Sequence, residues 1–249
     1  MKTAFIAFVA LAVTPPAAFA DGTHARDQDG AIASVASPAL VADFDILAAH
    51  AHREGNKITF HMTTNGRAGG TTPTPLGGVG GAPVLSYVWP TSLDPAAVGF
   101  EGGTGILAMA ATSHPDFDDT PLVDENLDGN PGNDGIIWHS HWIVLTPTED
   151  CGPGALAVRD IPKGETPKVP ATWPGFPIYL DSPGFTPLFD GPEITLTAAL
   201  SGDVALEGVK YDGVTAALQV NADIHAPLLC VTDVFDVASG DLSLPGTVK

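Results

Sequence analysis

The amino-acid sequence predicts an all-β protein, either an antiparallel β-sandwich or a jelly-roll-like domain, with about ten strands and long loops rich in glycine and proline. Short apolar segments alternate with clusters of turn residues along most of the chain. The 249 residues include 28 glycines and 23 prolines, together more than a fifth of the chain, which is high for a helical protein. No segment shows the 3.6-residue apolar repeat of an amphipathic helix. These three observations exclude a helical bundle.

Each predicted strand is an apolar or alternating segment between turn residues. The strands cover residues 40–52, 57–64, 84–89, 105–112, 135–146, 155–160, 193–200, 204–211, 214–225 and 228–237. The strongest hairpin signal is Asp212-Gly213, which separates two apolar runs. Residues 68–83 and 162–192 are predicted loops, because their glycine or proline content excludes central strands.

The chain begins with the pattern of a secretory signal peptide. Lys2 supplies a short positive region, residues 4–13 are an uninterrupted apolar run, and Ala18-Phe19-Ala20 matches a cleavage site. The apolar run is too short to cross a bilayer, which needs about 20 residues. The sequence therefore predicts a periplasmic or secreted protein, cleaved near Ala20. Its predicted organisation is a signal peptide (1–20), a flexible tail (21–32) and one domain (33–249).

The charge composition limits the classes of partner. The formal net charge is -19, from 10 Lys and Arg against 29 Asp and Glu. Nucleic acid and anionic membrane surfaces would be repelled by such a protein, whereas cations would be attracted. We therefore expect metal ions as partners, and the sequence gives no indication of a protein partner. Because only 16% of the residues are charged and 44% are apolar, the chain can still bury a core.

An acidic segment lies in the middle of the chain. Between Arg67 and Arg159 there are eleven carboxylates and no Lys or Arg, and seven of the carboxylates fall within residues 116–134. The stretch from Asp124 to Gly129 matches the first half of a calcium loop, D-x-[DN]-x-[DN]-G. The second half departs from an EF-hand, and the alternative is a solvated acidic turn. The predicted calcium ligands are Asp124, Asn126, Asp128, Asn133 and Asp134.

The apolar segment after the acidic loop contains His139 and His141. Side chains alternate between the two faces of a strand, so both histidines project from one face and Trp138 and Trp142 from the other. Two imidazoles on one rigid strand are typical of zinc and copper sites. His114, which opens the acidic loop, is predicted to be the third ligand. The alternative is a set of partly buried histidines that hydrogen bond within the protein.

A second candidate metal group consists of His50, His52 and His61. A two-residue turn at Gly55-Asn56 would place His50 opposite His61, close enough to share a metal ion. A three-residue loop would instead pair His50 with Phe60 and turn His61 to the other face. The apolar alternation of the flanking segments favours the three-residue loop. The group is therefore predicted to be the weaker site.

The only cysteines of the chain are Cys151 and Cys230. Disulfides persist in exported proteins, and neither cysteine has the C-x-x-C spacing of a thiolate metal site. The sequence therefore predicts a disulfide, with a thiolate metal site as the alternative. A bridge between them closes a loop of roughly 80 residues, worth about 4 kcal/mol of stability in the chain-entropy model.

The histidine strand resembles parts of two known families. His139-Ser140-His141-Trp142 is similar to the H-x-H-W strand of α-carbonic anhydrases, which implies a zinc hydratase. Those enzymes take their third zinc histidine from a strand shortly downstream, whereas the next histidine here is His225. The combination of histidines with Trp138 and Trp142 resembles methanotroph surface copper proteins, which bind Cu(I) with histidines and an oxidised tryptophan. This second resemblance implies copper.

These observations predict an exported metal-binding protein without turnover, with copper or zinc at His114, His139 and His141 and calcium in the acidic loop. A first alternative is a metal-dependent hydrolase or hydratase at the same residues, with Asp116 or Asp118 as the base. A second is a structural or adhesive β-domain stabilised by calcium. The sequence contains no G-x-S-x-G, H-E-x-x-H, P-loop or dinucleotide-binding motif. Four buried ligands would favour storage or structure over catalysis.

Overall fold

The computed structural model describes residues 25–26 and 30–249. The predicted signal peptide and its cleavage site lie outside these residues. In the segment predicted to be a flexible tail, Ala25–Arg26 pairs with Ile32–Ala33. Ile32–Ala33 in turn pairs with the strand that contains Ala48 and Ala49. The described part of the tail is thus built into the fold. No helical segment in the described ranges is long and apolar enough to cross a membrane.

Fifteen strands and two short 3-10 helices form the regular structure of the described residues. The strands are β1 (Ala25–Arg26), β2 (Ile32–Ala33), β3 (Ile46–Glu54), β4 (Lys57–Thr64), β5 (Pro83–Pro90), β6 (Ile106–Ser113), β7 (His139–Pro147), β8 (Leu156–Val158), β9 (Leu180–Asp181), β10 (Leu188–Asp190), β11 (Glu193–Ala199), β12 (Lys210–Tyr211), β13 (Val214–Val220), β14 (Leu229–Val237) and β15 (Gly246–Thr247). The 3-10 helices span Ala42–Phe44 and Pro95–Val98. All paired strands are antiparallel, which confirms the all-β, antiparallel prediction.

Six strands close into a barrel in the order β6-β5-β13-β14-β8-β7, and β7 pairs with β6 to complete the circle. The closing pair runs from Ile106 opposite Leu145 to Thr112 opposite His139. Strand β9 pairs with β7 beside β8. Two irregularities in the pairing of β13 with β14 bend the sheet locally, as bulges do. The sequence predicted a sandwich or jelly roll; in the structure, this sheet instead closes on itself.

The second large sheet packs against the outer wall of the barrel. Its strand order is β1-β2-β3-β4-β11-β10. Alternate residues of β4 are buried, and among them Phe60 lies with its ring centroid 5.7 Å from Trp89 of β5 and 6.2 Å from Trp142 of β7. The larger of the two apolar cores lies between this sheet and the barrel. The opposite face of the sheet is polar.

Strand β7 borders both cores of the protein. Trp142 and Val144 belong to the core between the sheets, whereas Ile143 and Leu145 belong to the core inside the barrel. The two-residue alternation places His141 on the inner side with Ile143, where it lines the barrel interior. The opposite orientation of histidines and tryptophans is therefore as the sequence predicted.

Cys151 and Cys230 form the predicted disulfide, with their Cα atoms 5.6 Å apart. Cys151 lies in the turn between β7 and β8. Cys230 lies in β14, opposite Ala157 of β8. The bridge therefore ties the β7–β8 turn to β14, the strand on the other side of β8.

The prediction of a three-residue loop between β3 and β4 was wrong. The turn has two residues, Gly55-Asn56, and Gly55 has a φ of 61°, which a two-residue hairpin turn favours. His50 consequently lies opposite His61, and His52 is two residues along the same strand. All three imidazoles are brought to the outer face of the sheet.

The error has a local cause in β3. The pairing with β4 contains a bulge between Ile46 and Ala48. Because a bulge inserts an extra residue, it reverses the phase of alternation, and Ile46 and Ala49 are both buried although they are three residues apart. The apolar pattern near Phe44 and Ile46 therefore could not be extended through the strand.

Candidate metal centre

Three histidines and one aspartate converge inside the barrel, near the end where β6 finishes and β7 begins. We call them the interior cluster: His114, Asp119, His139 and His141. Each residue is at most 4% exposed to solvent. One ligand atom from each lies within 4.8 Å of the others. The cluster is therefore a buried group that could hold a metal ion.

The two strands and the loop between them place these side chains. His139 and His141 occupy inward positions of β7, and His114 directly follows β6, where its backbone N–H donates to the carbonyl of Gly135 at 2.7 Å. The loop that begins at His114 places Asp119 next to the three histidines. A side chain at Gly135 would overlap the carbonyl oxygens of Phe117 and His114, so a glycine is required for this close approach.

The polar atoms of the interior cluster meet at Asp119. Its Oδ1 lies 3.2 Å from Nε2 of His114, 3.1 Å from Nε2 of His139 and 3.2 Å from Nε2 of His141. The Nε2 atoms of His114 and His139 are 3.0 Å apart. One nitrogen of each ring and one carboxylate oxygen thus surround a common point.

The other ring nitrogen of each histidine faces a backbone carbonyl. The distances from Nδ1 are 3.0 Å to Phe117 O for His114, 2.6 Å to Ile137 O for His139 and 3.3 Å to Asp181 O for His141. Since a carbonyl oxygen only accepts, Nδ1 must carry the proton in each neutral ring. Each Nε2 then presents a lone pair to the centre of the cluster. Backbone or carboxylate partners fix metal-binding histidines in the same way.

Ser182 connects two members of the interior cluster. Its hydroxyl donates to the backbone carbonyl of Asp119 at 2.6 Å. The same oxygen is 3.2 Å from Nδ1 of His141 and can accept a hydrogen bond from its N–H. Ser182 therefore orients the His141 ring and anchors the segment that carries Asp119.

Hydrogen bonding does not satisfy all the converging atoms. His141 Nε2 and Asp119 Oδ1 are buried and have no hydrogen-bond partner of suitable geometry, although they lie 3.2 Å apart. Unpaired buried polar atoms cost about 1–3 kcal/mol each, more when charged. Two lone pairs facing each other at 3.0 Å, on His114 and His139, also repel unless a proton or a cation lies between them. A metal ion would relieve both conditions.

Burial and mutual charge shift the pKa values within the cluster. Burial would raise the pKa of the Asp119 carboxyl, but the adjacent imidazoles of His141, His114 and His139 lower it well below its usual range. Burial lowers the pKa of His141, although Asp119 opposes the shift. Burial also acts to lower the pKa of His139, yet the adjacent Asp119 carboxylate raises it overall. Asp119 is therefore anionic, as a metal ligand must be.

A small cavity adjoins the cluster inside the barrel. Its volume is about 20 Å³, and the residues around it include His114, Asp119 and His141 together with apolar residues such as Leu218 and Leu229. A cavity of this size holds roughly one water molecule.

The structure brings together all three histidines of the predicted site and adds Asp119, which sequence reasoning missed. Asp119 is one of seven neighbouring carboxylates, and its only distinguishing signal is its position five residues after His114. The two predicted bases lie elsewhere. Asp116 accepts backbone hydrogen bonds from Leu76 and Gly77 near the surface, and Asp118 accepts from the backbone of Thr120 and Asp134.

The acidic loop holds itself together through its own side chains. Asp124 accepts from the backbone N–H of Gly129 at 2.8 Å, and Asn126 accepts from that of Asp128 at 2.8 Å. Asn133 donates to Asp128 at 2.9 Å. Asp134 is fully buried and accepts from the backbone of Glu125. Calcium binding by Asp124, Asn126, Asp128, Asn133 and Asp134 stays a prediction.

Among the described residues, one further group brings three potential ligands within 4.8 Å. It is the surface histidine cluster: His50, His52 and His61. The first two are exposed, and His61 is partly buried. Burial and the neighbouring charges of His50 and His52 lower the pKa of His61 to about 4. At neutral pH its ring is therefore unprotonated.

Comparisons of the chain with models of protein families, with curated proteins and with solved structures found no match. The geometry of the two clusters is therefore the basis for assigning a function. A fold alone would not supply one, because one architecture can support many unrelated activities.

Proposed function

We propose that this protein is an exported metal-binding protein that holds one divalent transition-metal ion, zinc or copper, in the interior cluster. The supporting observation is the orientation of three imidazoles by backbone carbonyls, which directs three Nε2 lone pairs and one carboxylate oxygen at the same point. Imidazole and carboxylate donors suit Zn²⁺ and Cu²⁺, whereas Cu(I) favours thiolate or thioether ligands.

Four of the six separations between the ligand atoms are close to those around a tetrahedral ion of this size. Metal–ligand bonds of about 2.0 Å in a tetrahedron place neighbouring donors roughly 3.3 Å apart. The separations from Asp119 Oδ1 to the three Nε2 atoms are 3.1 to 3.2 Å, and that between His114 and His139 is 3.0 Å. Small outward movements of the side chains would therefore admit zinc. The single carboxylate offsets half of the charge of a divalent ion.

Four protein ligands and deep burial favour holding the metal over catalysis. The adjoining cavity of about 20 Å³ could supply one water as a fifth ligand, but it is too small for an organic substrate. The alternative of a metal-dependent hydrolase or hydratase at this site would require an opening that exposes the cluster.

Copper held by histidine together with tryptophan is less well supported. Trp138 donates its Nε1–H to the carbonyl of Gly69 at 3.1 Å, and Trp142 packs against Phe60 in the core outside the barrel. Both indoles pack in or against the core outside the barrel, on the side of β7 away from the interior cluster. Copper remains an alternative to zinc through the imidazoles alone.

The metal content of protein recovered from its native compartment tests the proposal. We expect about one equivalent of zinc or copper that resists dialysis in the parent, and its loss from the double variant His139→Ala with His141→Ala. His225→Ala is the matched control, because His225 pairs with Asp160 outside both clusters. Circular dichroism checks that each variant is folded, and Asp119→Asn provides a variant that preserves side-chain shape. Parent protein without a transition metal that also fails to take up zinc or copper would refute the proposal.

A further inference from the structure

The surface histidine cluster brings together the donors of a possible second metal site. His50 and His61 are cross-strand neighbours whose ring centroids are 4.1 Å apart and whose planes differ by 8°. The rings of His52 and His61 are 5.2 Å apart, with planes at 21°. One nitrogen from each of the three rings lies within 4.8 Å of the others. Because the lone pair of an imidazole lies in the plane of its ring, the rings must rotate out of this stack for one ion to contact all three.

The sheet holds this arrangement in place. The two-residue turn and the resulting register fix His50 opposite His61, so the cluster is a property of the paired backbone. On the neighbouring strand β11, the hydroxyl of Thr195 is 3.0 Å from Nδ1 of His61 and orients its ring. Nε2 of His61 is buried and has no hydrogen-bond partner. A buried imidazole nitrogen without a partner is an available ligand atom.

The chemistry of the cluster differs from that of the interior cluster. It offers three imidazoles and no carboxylate, and two of its rings are exposed, so water can complete the coordination of a bound ion. Among divalent ions, nitrogen ligands bind Cu²⁺ most strongly. The net charge of -19 also raises the local concentration of cations around the protein.

We propose that His50, His52 and His61 form a second metal site, open to solvent and independent of the interior cluster, that binds Cu²⁺ more tightly than Zn²⁺. The two sites lie on different sheets and share no ligand. The protein thus combines a closed site with an accessible one.

Equilibrium dialysis of the full chain against Cu²⁺ tests this second site. The surface variant carries His50→Ala and His52→Ala, two exposed positions whose truncation removes no core contact. We expect the surface variant to bind one equivalent fewer than the parent, or to bind it about tenfold or more weakly. Electron paramagnetic resonance of Asp119→Asn, which keeps the surface site, should show Cu²⁺ coupled to several nitrogens, and this signal should be lost when His50→Ala and His52→Ala are added.

Two controls separate this proposal from that of the interior cluster. His225→Ala should bind as the parent does, which excludes a general effect of removing a histidine. Asp119→Asn should lose only the interior equivalent and keep the surface one. If the surface variant binds Cu²⁺ with the same stoichiometry and affinity as the parent, the proposal is wrong. Failure of the interior cluster to bind would leave the comparison between parent and surface variant unaffected.

Discussion

Replacing Asp119 with asparagine should remove most of the stabilisation that metal gives to the protein. Asp119 is the only carboxylate of the interior cluster and approaches all three Nε2 atoms within 3.2 Å, so we expect the neutral amide to weaken binding about a hundredfold. At free Zn²⁺ of about 100 times the parent Kd, the parent gains about 2.7 kcal/mol, and the variant gains about 0.4 kcal/mol. At roughly 2–4 °C per kcal/mol for a chain of this size, Tm rises by about 5–11 °C in the parent and by about 1–2 °C in Asp119→Asn.

Thermal melts followed by circular dichroism, on protein freed of metal beforehand and then held in Zn²⁺ or in chelator, measure the difference. Both proteins carry His50→Ala and His52→Ala, so that the surface histidine cluster does not contribute. The matched control is Asp116→Asn, the same substitution in the acidic segment at a residue outside the interior cluster, and it should retain the full shift. An Asp119→Asn shift as large as that of its parent would refute the assignment of Asp119 as a ligand. Equal parent Tm values in Zn²⁺ and chelator would refute the interior site.

Three further outcomes follow from the same structure. Gly135→Ala should weaken zinc binding in dialysis, because its methyl group would displace the Phe117 carbonyl that orients His114, whereas Gly132→Ala in open surroundings should bind normally. Trp142→Ala should lower the free energy of unfolding in urea by about 3–5 kcal/mol, since the side chain is only 2% exposed in the main core; a loss below about 1 kcal/mol would contradict that packing. Acidification from about pH 7.5 to about pH 5 should weaken zinc binding at equilibrium, because protons compete for imidazoles whose ordinary pKa is about 6.5, and an unchanged Kd at the lower pH would contradict imidazole ligation.

Features set by local sequence could be predicted. The two-residue period of an apolar, β-prone segment is sufficient to place His139 and His141 on one face of a strand and Trp142 on the other. Predicting the disulfide required only the expectation of export and two cysteines without metal-site spacing. The all-β class similarly follows from frequent turns and the lack of helical periodicity.

Features that depend on distant pairing could not be predicted. Closure of the barrel requires β6 to pair with β7 across the acidic loop. The pairing of β13 with β14 also contains irregularities that cannot be predicted from the residue types. The path of that loop determines that Asp119, among seven nearby carboxylates, reaches the three histidines. The register of His50 and His61 depends on a bulge near Ile46, which reverses the alternation.

The continuous pairing of β6 with β7 has a consequence for how fast a bound ion could leave. The barrel wall is hydrogen bonded where the histidines project inward, and the loop that carries Asp119 is anchored beneath them by Ser182. We therefore expect departure of the ion to require opening of that loop. The rate of release should equal the rate of loop opening and become independent of the concentration of a competing chelator. Retention time would then depend on the dynamics of the fold, so the protein could keep its ion in the presence of chelators that bind the metal more tightly.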